Sequence, residues 1–285
     1  MLNYLSKKNM EGTIIYASGQ MCNQFWIYSN FIADAIDTNE RVGIWAPNFN
    51  IEDFPSLYHS KYVRFPFFIK GIIKFIGYKK YKKYVQPFLS ARIILMLCCL
   101  LSRVIPRISF KIIDISYMKS KNRVKYLNQL KELFAPDKYI LDDVTLLFNS
   151  KRLEYNQIVG IHIRHGDYRT FKGGKYFYQL NEYKKIMKQI ISMFKSDPKI
   201  GFFIACNENI NYIKFNEFDF FYIENPNSLK DLMGLSLCDY IIGPPSSYSA
   251  WASLYTHTPL YFVEDIKSEI SKDKFIHIED IWFLK

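Results

Sequence analysis

Short apolar runs alternate with helical segments along the carboxyl-terminal half of this chain, and that alternation limits the available folds more than any other feature. Residues 158–163, 202–205, 220–223, 240–242 and 260–263 read as strands. A helical pattern spans residues 181–194, a second runs from a Ser228 cap to residue 237, and a third covers residues 248–255. Strands that are separated by helices cannot pair as hairpins, so they build a parallel, Rossmann-like sheet.

The amino-terminal part opens in the same way. Residues 13–17 form a strand that ends at Ser18-Gly19-Gln20, a turn signal. A helix over residues 22–36 follows, with Phe25, Tyr28, Phe31, Ile32 and Ala35 at helical spacing, and residues 41–45 form the next strand. Residues 49–121 show no regular period. The expectation is an α/β protein of two domains: residues 1–150, carrying a basic, aromatic-rich insertion at about 61–105, and residues 151–285.

Composition narrows the class. Hydrophobic residues make up 49% of the 285, enough for a substantial core and too many for a disordered chain. The aromatic content of 18% fits sugar-stacking or interfacial surfaces, or a codon bias that raises Lys, Ile, Asn, Tyr and Phe together. The five cysteines include the adjacent pair Cys98-Cys99 and no CxxC, which argues against a disulfide framework or a zinc site and for a reducing compartment. Residues 1–12 hold charges without an apolar core, so no secretory signal is expected there. The longest apolar run, residues 93–101, falls short of the roughly 20 residues that span a bilayer. A cytoplasmic protein, soluble or peripheral on the inner face of the membrane, is expected.

The net charge of +11 calls for a polyanionic partner: nucleic acid, anionic lipid or a phosphorylated substrate. No zinc-finger spacing or RNP-like aromatic motif ties the basic residues to nucleic acid, which is not an expected partner. Eight basic residues between positions 61 and 83 are interleaved with Phe, Ile and Tyr. Such a stretch suits an anionic membrane surface, or it is a solvated basic face over a buried stripe.

In an open parallel sheet, ligands bind beyond the carboxyl ends of the strands. Three polar clusters fall there. The first, His162-Ile163-Arg164-His165-Gly166-Asp167-Tyr168, offers a guanidinium fork suited to pyrophosphate, or a structural Arg paired with Asp167. The second, Cys206-Asn207-Glu208, offers an amide and a carboxylate to a base or ribose, or Asn207 caps a helix. The third, Gly243-Pro244-Pro245-Ser246-Ser247-Tyr248-Ser249, places hydroxyls and N–H groups at a helix start, where an anion binds; capping alone explains one hydroxyl.

Together these segments resemble the α-1,2-fucosyltransferases, inverting glycosyltransferases that use GDP-fucose. That family carries HxRRxD, a later S-[ST]-F-S-x-W after a Cys-Asp pair, and an amino-terminal G-x-x-x-N-Q turn. The corresponding residues here are His162 to Asp167, then Cys238-Asp239 with Ser246-Ser247-Tyr248-Ser249-Ala250-Trp251, and Gly19 to Gln24 with Asn23 before it, in the same order. The resemblance implies a GT-B-like architecture of two Rossmann-type domains, with GDP-fucose bound mainly by the second. It further implies inversion without an essential metal or other cofactor, and a glycan acceptor, with lipid-linked glycans suiting a membrane-docked enzyme. Arg164, Asp167 and His162 become the catalytic candidates. Arg164, His165, Asn207, Glu208, Ser246, Ser247 and Tyr248 become donor-binding candidates, joined by Gly19, Asn23 and Gln24 from the first domain; Gly19 as a plain turn and Asn23 as a helix cap are the alternatives.

Three departures stand out. His165 replaces the family's second Arg, Asn207-Glu208 replaces an acidic pair expected to meet guanine, and Gly243-Pro244-Pro245 stiffens the approach to the serines. The rival reading is a non-catalytic protein that binds a membrane surface or polyanion through residues 61–83.

Overall fold

The computed structural model describes residues 12–46, 49–65, 67–89, 95–98, 100, 109–113, 121–194 and 199–282. The chain divides into two units, Met1–Asp137 and Lys138–Lys285. In the first, β1 (Thr13–Ala17), β2 (Val42–Trp45), β3 (Val63–Arg64) and β4 (Ser109–Ile113) form a parallel sheet in the order β3-β2-β1-β4. The last two lie in the stretch where the sequence shows no period. β3 is too short to display one, and Lys111 interrupts the apolar run of β4.

Helix α1 (Met21–Thr38) is buried on most of its faces, and two of its polar side chains finish the strand ends. The Gln24 amide donates to the Ala17 carbonyl at 2.9 Å. The Tyr28 hydroxyl accepts from the Ala17 N–H at 3.2 Å and donates to the Trp45 carbonyl. Main-chain groups that run past the ladder inside a core need such partners. Asn39, at φ 52°, ends the helix in the left-handed conformation that Asn tolerates. Helix α2 (Phe67–Ile76) belongs to the same unit.

The second unit begins with α3 (Lys138–Glu154). The domain break expected after residue 150 falls inside this helix. Phe148 packs its ring on Phe203 and Phe221 at 5.2 and 5.4 Å, which ties α3 to the second sheet. That sheet contains β5 (Gln157–Ile163), β6 (Ile200–Cys206), β7 (Phe220–Phe221), β8 (Tyr240–Gly243) and β9 (Leu260–Phe262), all parallel, in the order β7-β6-β5-β8-β9. Helix α4 (Leu180–Met193) buries Tyr183, Ile186, Met187 and Ile190, at i, i+3, i+4 and i+7, with Val159, Ile161 and Ile163 of β5 and Phe202 and Ile204 of β6. Each such apolar side chain contributes about 1.5–3 kcal/mol. Helices α5 (Ser228–Ser236) and α6 (Ser247–Thr256) flank β8 in the chain. Asn227, not Ser228, caps α5: its side-chain oxygen accepts from the N–H groups of Leu229 and Lys230, both at 2.9 Å.

The strand order reverses between β5 and β8, and here the two backbones come close. A Cβ on Gly243 would stand 2.7 Å from the His162 carbonyl oxygen and 2.9 Å from its Cβ. Both neighbours are fixed by the sheet, so Gly243→Ala should cost about 1–3 kcal/mol of stability through overpacking. Denaturant unfolding of the variant should show a lower midpoint at unchanged slope.

Candidate functional site

The strand order reverses between β5 and β8, and at such a switch point open parallel sheets form their ligand crevice beyond the carboxyl edge, here between the segments that follow these two strands. Arg164 follows β5 directly, and its side chain is 11% exposed. One of its terminal nitrogens sits 2.8 Å from Asp167 Oδ1, and its guanidinium lies 5.3 Å from the Tyr168 ring centre. The Tyr168 hydroxyl donates to the Pro245 carbonyl at 2.5 Å, so one hydrogen bond joins the Arg164 segment to the approach to α6. Gly166 turns the chain between them at φ 59°, where a Cβ would meet the Asn207 amide at 2.8 Å.

On the other side of the crevice, Ser246 caps α6, its hydroxyl accepting from the Tyr248 N–H at 3.1 Å. Ser247 is the first residue of the helix, and the Tyr248 hydroxyl donates to the Ser228 carbonyl at 2.6 Å. Ser249 is fully buried, with its hydroxyl 2.7 Å from His162 Nδ1, while Tyr248 lies over the His162 ring with centroids 5.0 Å apart. The first turn of α6 is thereby braced against the end of β5. A guanidinium and a helix amino terminus then stand at the same end of the sheet, and their positive charge and N–H donors suit a multiply charged anion.

His162 is not suited to proton transfer. Burial, aided by the nearby Arg164 charge, pulls it down to about 3, and it stays neutral at physiological pH. His165 is buried as well. Its Nε2 donates to the Tyr178 carbonyl at 2.9 Å, and its ring packs on Phe177.

Asn207 caps no helix. Its side-chain oxygen accepts the His165 N–H at 2.8 Å, fastening the end of β6 to the loop after β5. Glu208 forms a two-pronged pair with Arg169 at 2.7 and 2.8 Å, which holds its carboxyl below the usual range. Gly19, Asn23 and Gln24 belong to the first unit. Gly19 turns at φ 88° under the Asn23 side chain, Asn23 lies within the first turn of α1 with Gln20 at the cap position, and Gln24 is buried.

One residue escaped the sequence reading. Asp231 of α5 is 8% exposed, and among the described residues nothing donates to its carboxyl or pairs with it. Burial raises it to about 7. Its charge reaches Cys206, at the end of β6, and Tyr212, whose ring stacks on Tyr222 at 3.9 Å. In the sequence Asp231 is the one carboxylate of α5, next to Lys230 and among Leu229, Leu232, Met233 and Leu235, and that spacing alone does not mark it as buried.

No family model and no curated protein matches the chain. Its α/β architecture, two parallel sheets with flanking helices, is the GT-B-like fold expected from the sequence, and solved fucosyltransferases share it. The structure is similar to NodZ of Bradyrhizobium, an α-1,6-fucosyltransferase soaked with GDP-fucose, with a TM-score of 0.53 and 14% identity over 88% of this chain and 94% of that one. It is similar to a point mutant of Arabidopsis thaliana FUT1 in complex with GDP, with a TM-score of 0.52 and 11% identity over 91% of this chain and 72% of that one. It is also similar to POFUT1 in complex with GDP, with a TM-score of 0.52 and 11% identity over 90% and 99% of the two chains. At these identities the likeness is one of fold.

The displaced pKa values of His162 and Asp231 oppose each other. Between about 3 and 6.5 the unfolded chain holds a proton that native His162 refuses, so stability rises with pH. Between 3.8 and about 7 native Asp231 keeps a proton that the unfolded chain releases, so stability falls with pH. Each effect is on the order of a few kcal/mol. Denaturant unfolding across the shared range should therefore show His162→Asn losing stability with rising pH and Asp231→Asn gaining it, each relative to the parent protein.

Proposed function

We propose that this protein is a glycosyltransferase that takes fucose from GDP-fucose and passes it, with inversion, to a hydroxyl of a glycan. The observation that carries this reading is the Arg164 guanidinium at the strand-order switch, joined through the Tyr168–Pro245 hydrogen bond to the amino terminus of α6. The names of the structural neighbours support the choice of donor, since NodZ was soaked with GDP-fucose, and FUT1 and POFUT1 were solved with GDP.

In this reading the diphosphate lies against Arg164, with the hydroxyls of Ser246 and Ser247 and the first N–H groups of α6 completing the cradle. The acceptor hydroxyl attacks the anomeric carbon from the face opposite the diphosphate, which leaves with the bonding pair and gathers negative charge. Fixed donors aimed at that charge stabilise the transition state more than the ground state. Asp167 orients the guanidinium. His162 is a positioning residue that steadies Ser249 and with it the first turn of α6. The diphosphate is held by these groups without an essential metal.

The base is assigned to Asp231. A carboxylate accepts two hydrogen bonds side by side, which matches the adjacent N–H donors of guanine; adenine and the pyrimidines lack that pair. Binding guanine would also supply the donors that Asp231 otherwise lacks. Asn207 and Glu208 hold the loop that follows Cys206, the β6 residue that feels the Asp231 charge. The α-1,2 linkage, which the sequence resemblance supports, and an acceptor in surface polysaccharide or lipid-linked glycan synthesis on the cytoplasmic side, which the cysteine pattern and the basic stretch of residues 61–83 suit, complete the proposal.

Turnover of GDP-fucose, measured as GDP release with a panel of galactoside acceptors, tests the reading. Arg164→Ala should lower the rate about a hundredfold to a thousandfold, the loss of an oxyanion-type donor. Arg164→Lys should recover little, because a point charge does not reproduce the planar fork. Chelation by EDTA should leave the rate unchanged. Undiminished turnover in Arg164→Ala would sink the proposal. In the same assay Asp231→Asn should weaken inhibition by GDP while leaving the weaker inhibition by UDP unchanged.

A further inference from the structure

The charge of this protein is not spread along the chain. Residues 54–113 contain twelve Lys and Arg and no Asp or Glu, so the whole net charge of +11 resides in that stretch and the remainder is close to neutral.

The described part of the stretch shows what accompanies the charge. On α2 the exposed positions Gly71, Lys74 and Phe75 follow helical spacing, and Phe75 is 90% exposed. Between Tyr78 and Leu89 the chain continues through short helical turns, where Lys79, Lys80, Lys82, Lys83, Tyr84 and Phe88 are exposed. Farther on, Met96, Leu97 and Leu100 are exposed too, again at helical spacing. The opposite sides are anchored: Ile73, Tyr81 and Leu95 are buried with Tyr16, Trp45 and Phe110 of the first sheet. Large apolar side chains and lysines therefore project from a backed surface, not from a loose tail.

We propose that the exposed side chains of residues 71–89, together with Met96, Leu97 and Leu100, form a docking face for the surface of an anionic lipid bilayer. The chemistry favours lipid over nucleic acid. Lysines attract either polyanion, but exposed Met96, Leu97 and Leu100 have no stacking role on bases, whereas aliphatic and aromatic side chains bury in the boundary between headgroups and acyl chains. The charge adds about 1 kcal/mol per basic residue near an anionic leaflet. No helix among the described residues is long and apolar enough to cross a membrane. Lysines beside exposed apolar side chains suit a face that lies in the plane of the interface. The proposal is independent of the donor reading and would hold if the crevice of the second unit took another ligand.

The test is co-sedimentation of the full chain with vesicles of phosphatidylcholine alone or mixed with phosphatidylserine. Binding to the mixed vesicles only, reversed by salt, is expected. Replacing Lys79, Lys80, Lys82 and Lys83 by Gln should weaken it roughly a hundredfold or more. The pair Phe75→Ser and Phe88→Ser should weaken it about tenfold or more, at unchanged thermal melting, since both side chains are exposed. A separate variant, Phe75→Trp, should shift its emission to the blue on the mixed vesicles, which reads insertion while retaining an apolar side chain. No binding to phosphatidylserine vesicles at low salt, an unmoved Phe75→Trp emission, or displacement of the vesicles by single-stranded RNA would each overturn the proposal.

Discussion

The second unit depends on one close approach. Strands β5 and β8 run side by side although the chain between them has already built β6 and β7 on the far side of β5. The reversal opens the sheet edge at that pair, and Gly243 lets the two backbones meet there. Everything placed in the crevice follows from it. Arg164 extends β5, Ser246 caps the helix that follows β8, and the Tyr168–Pro245 and His162–Ser249 contacts hold the two segments together. A site assembled from strand ends keeps its geometry because the sheet keeps it.

Burial then sorts the polar groups by task. His162 is enclosed so fully that it serves as a neutral hydrogen-bonding strut. His165, Asn207 and Glu208 are committed to Tyr178, to the chain after β5 and to Arg169. These bonds fix the loops that flank Arg164. Asp231 differs in being enclosed without a donor, and its raised pKa measures the cost of that enclosure. A group kept in that condition is suited to a ligand that brings the missing donors.

Much of this was legible in the residues. Each strand of the second sheet lies within two residues of the apolar run that announced it, because strands buried on both faces are continuous apolar runs bounded by turns. Arg164 and Ser246 were legible for a related reason, since polar residues directly after such runs stand at the ligand-binding edge. β3 and β4 were not, since two residues show no period and Lys111 breaks the other run. The helix-cap alternatives for Asn23 and Asn207 rested on residue type alone, and the caps or partners that formed depend on where the chain folds back. Asp231 was passed over because it sits inside a helix with no motif around it. Its character comes from burial by α5's neighbours, which spacing does not reveal.

The most direct test of the account is calorimetric titration of the protein with GDP, UDP, CDP and ADP, repeated with Arg164→Ala. The account predicts that GDP binds most tightly and that the Arg164 variant loses most of that affinity. Failure of every nucleoside diphosphate to bind, or equal GDP affinity in the parent protein and the variant, would contradict it.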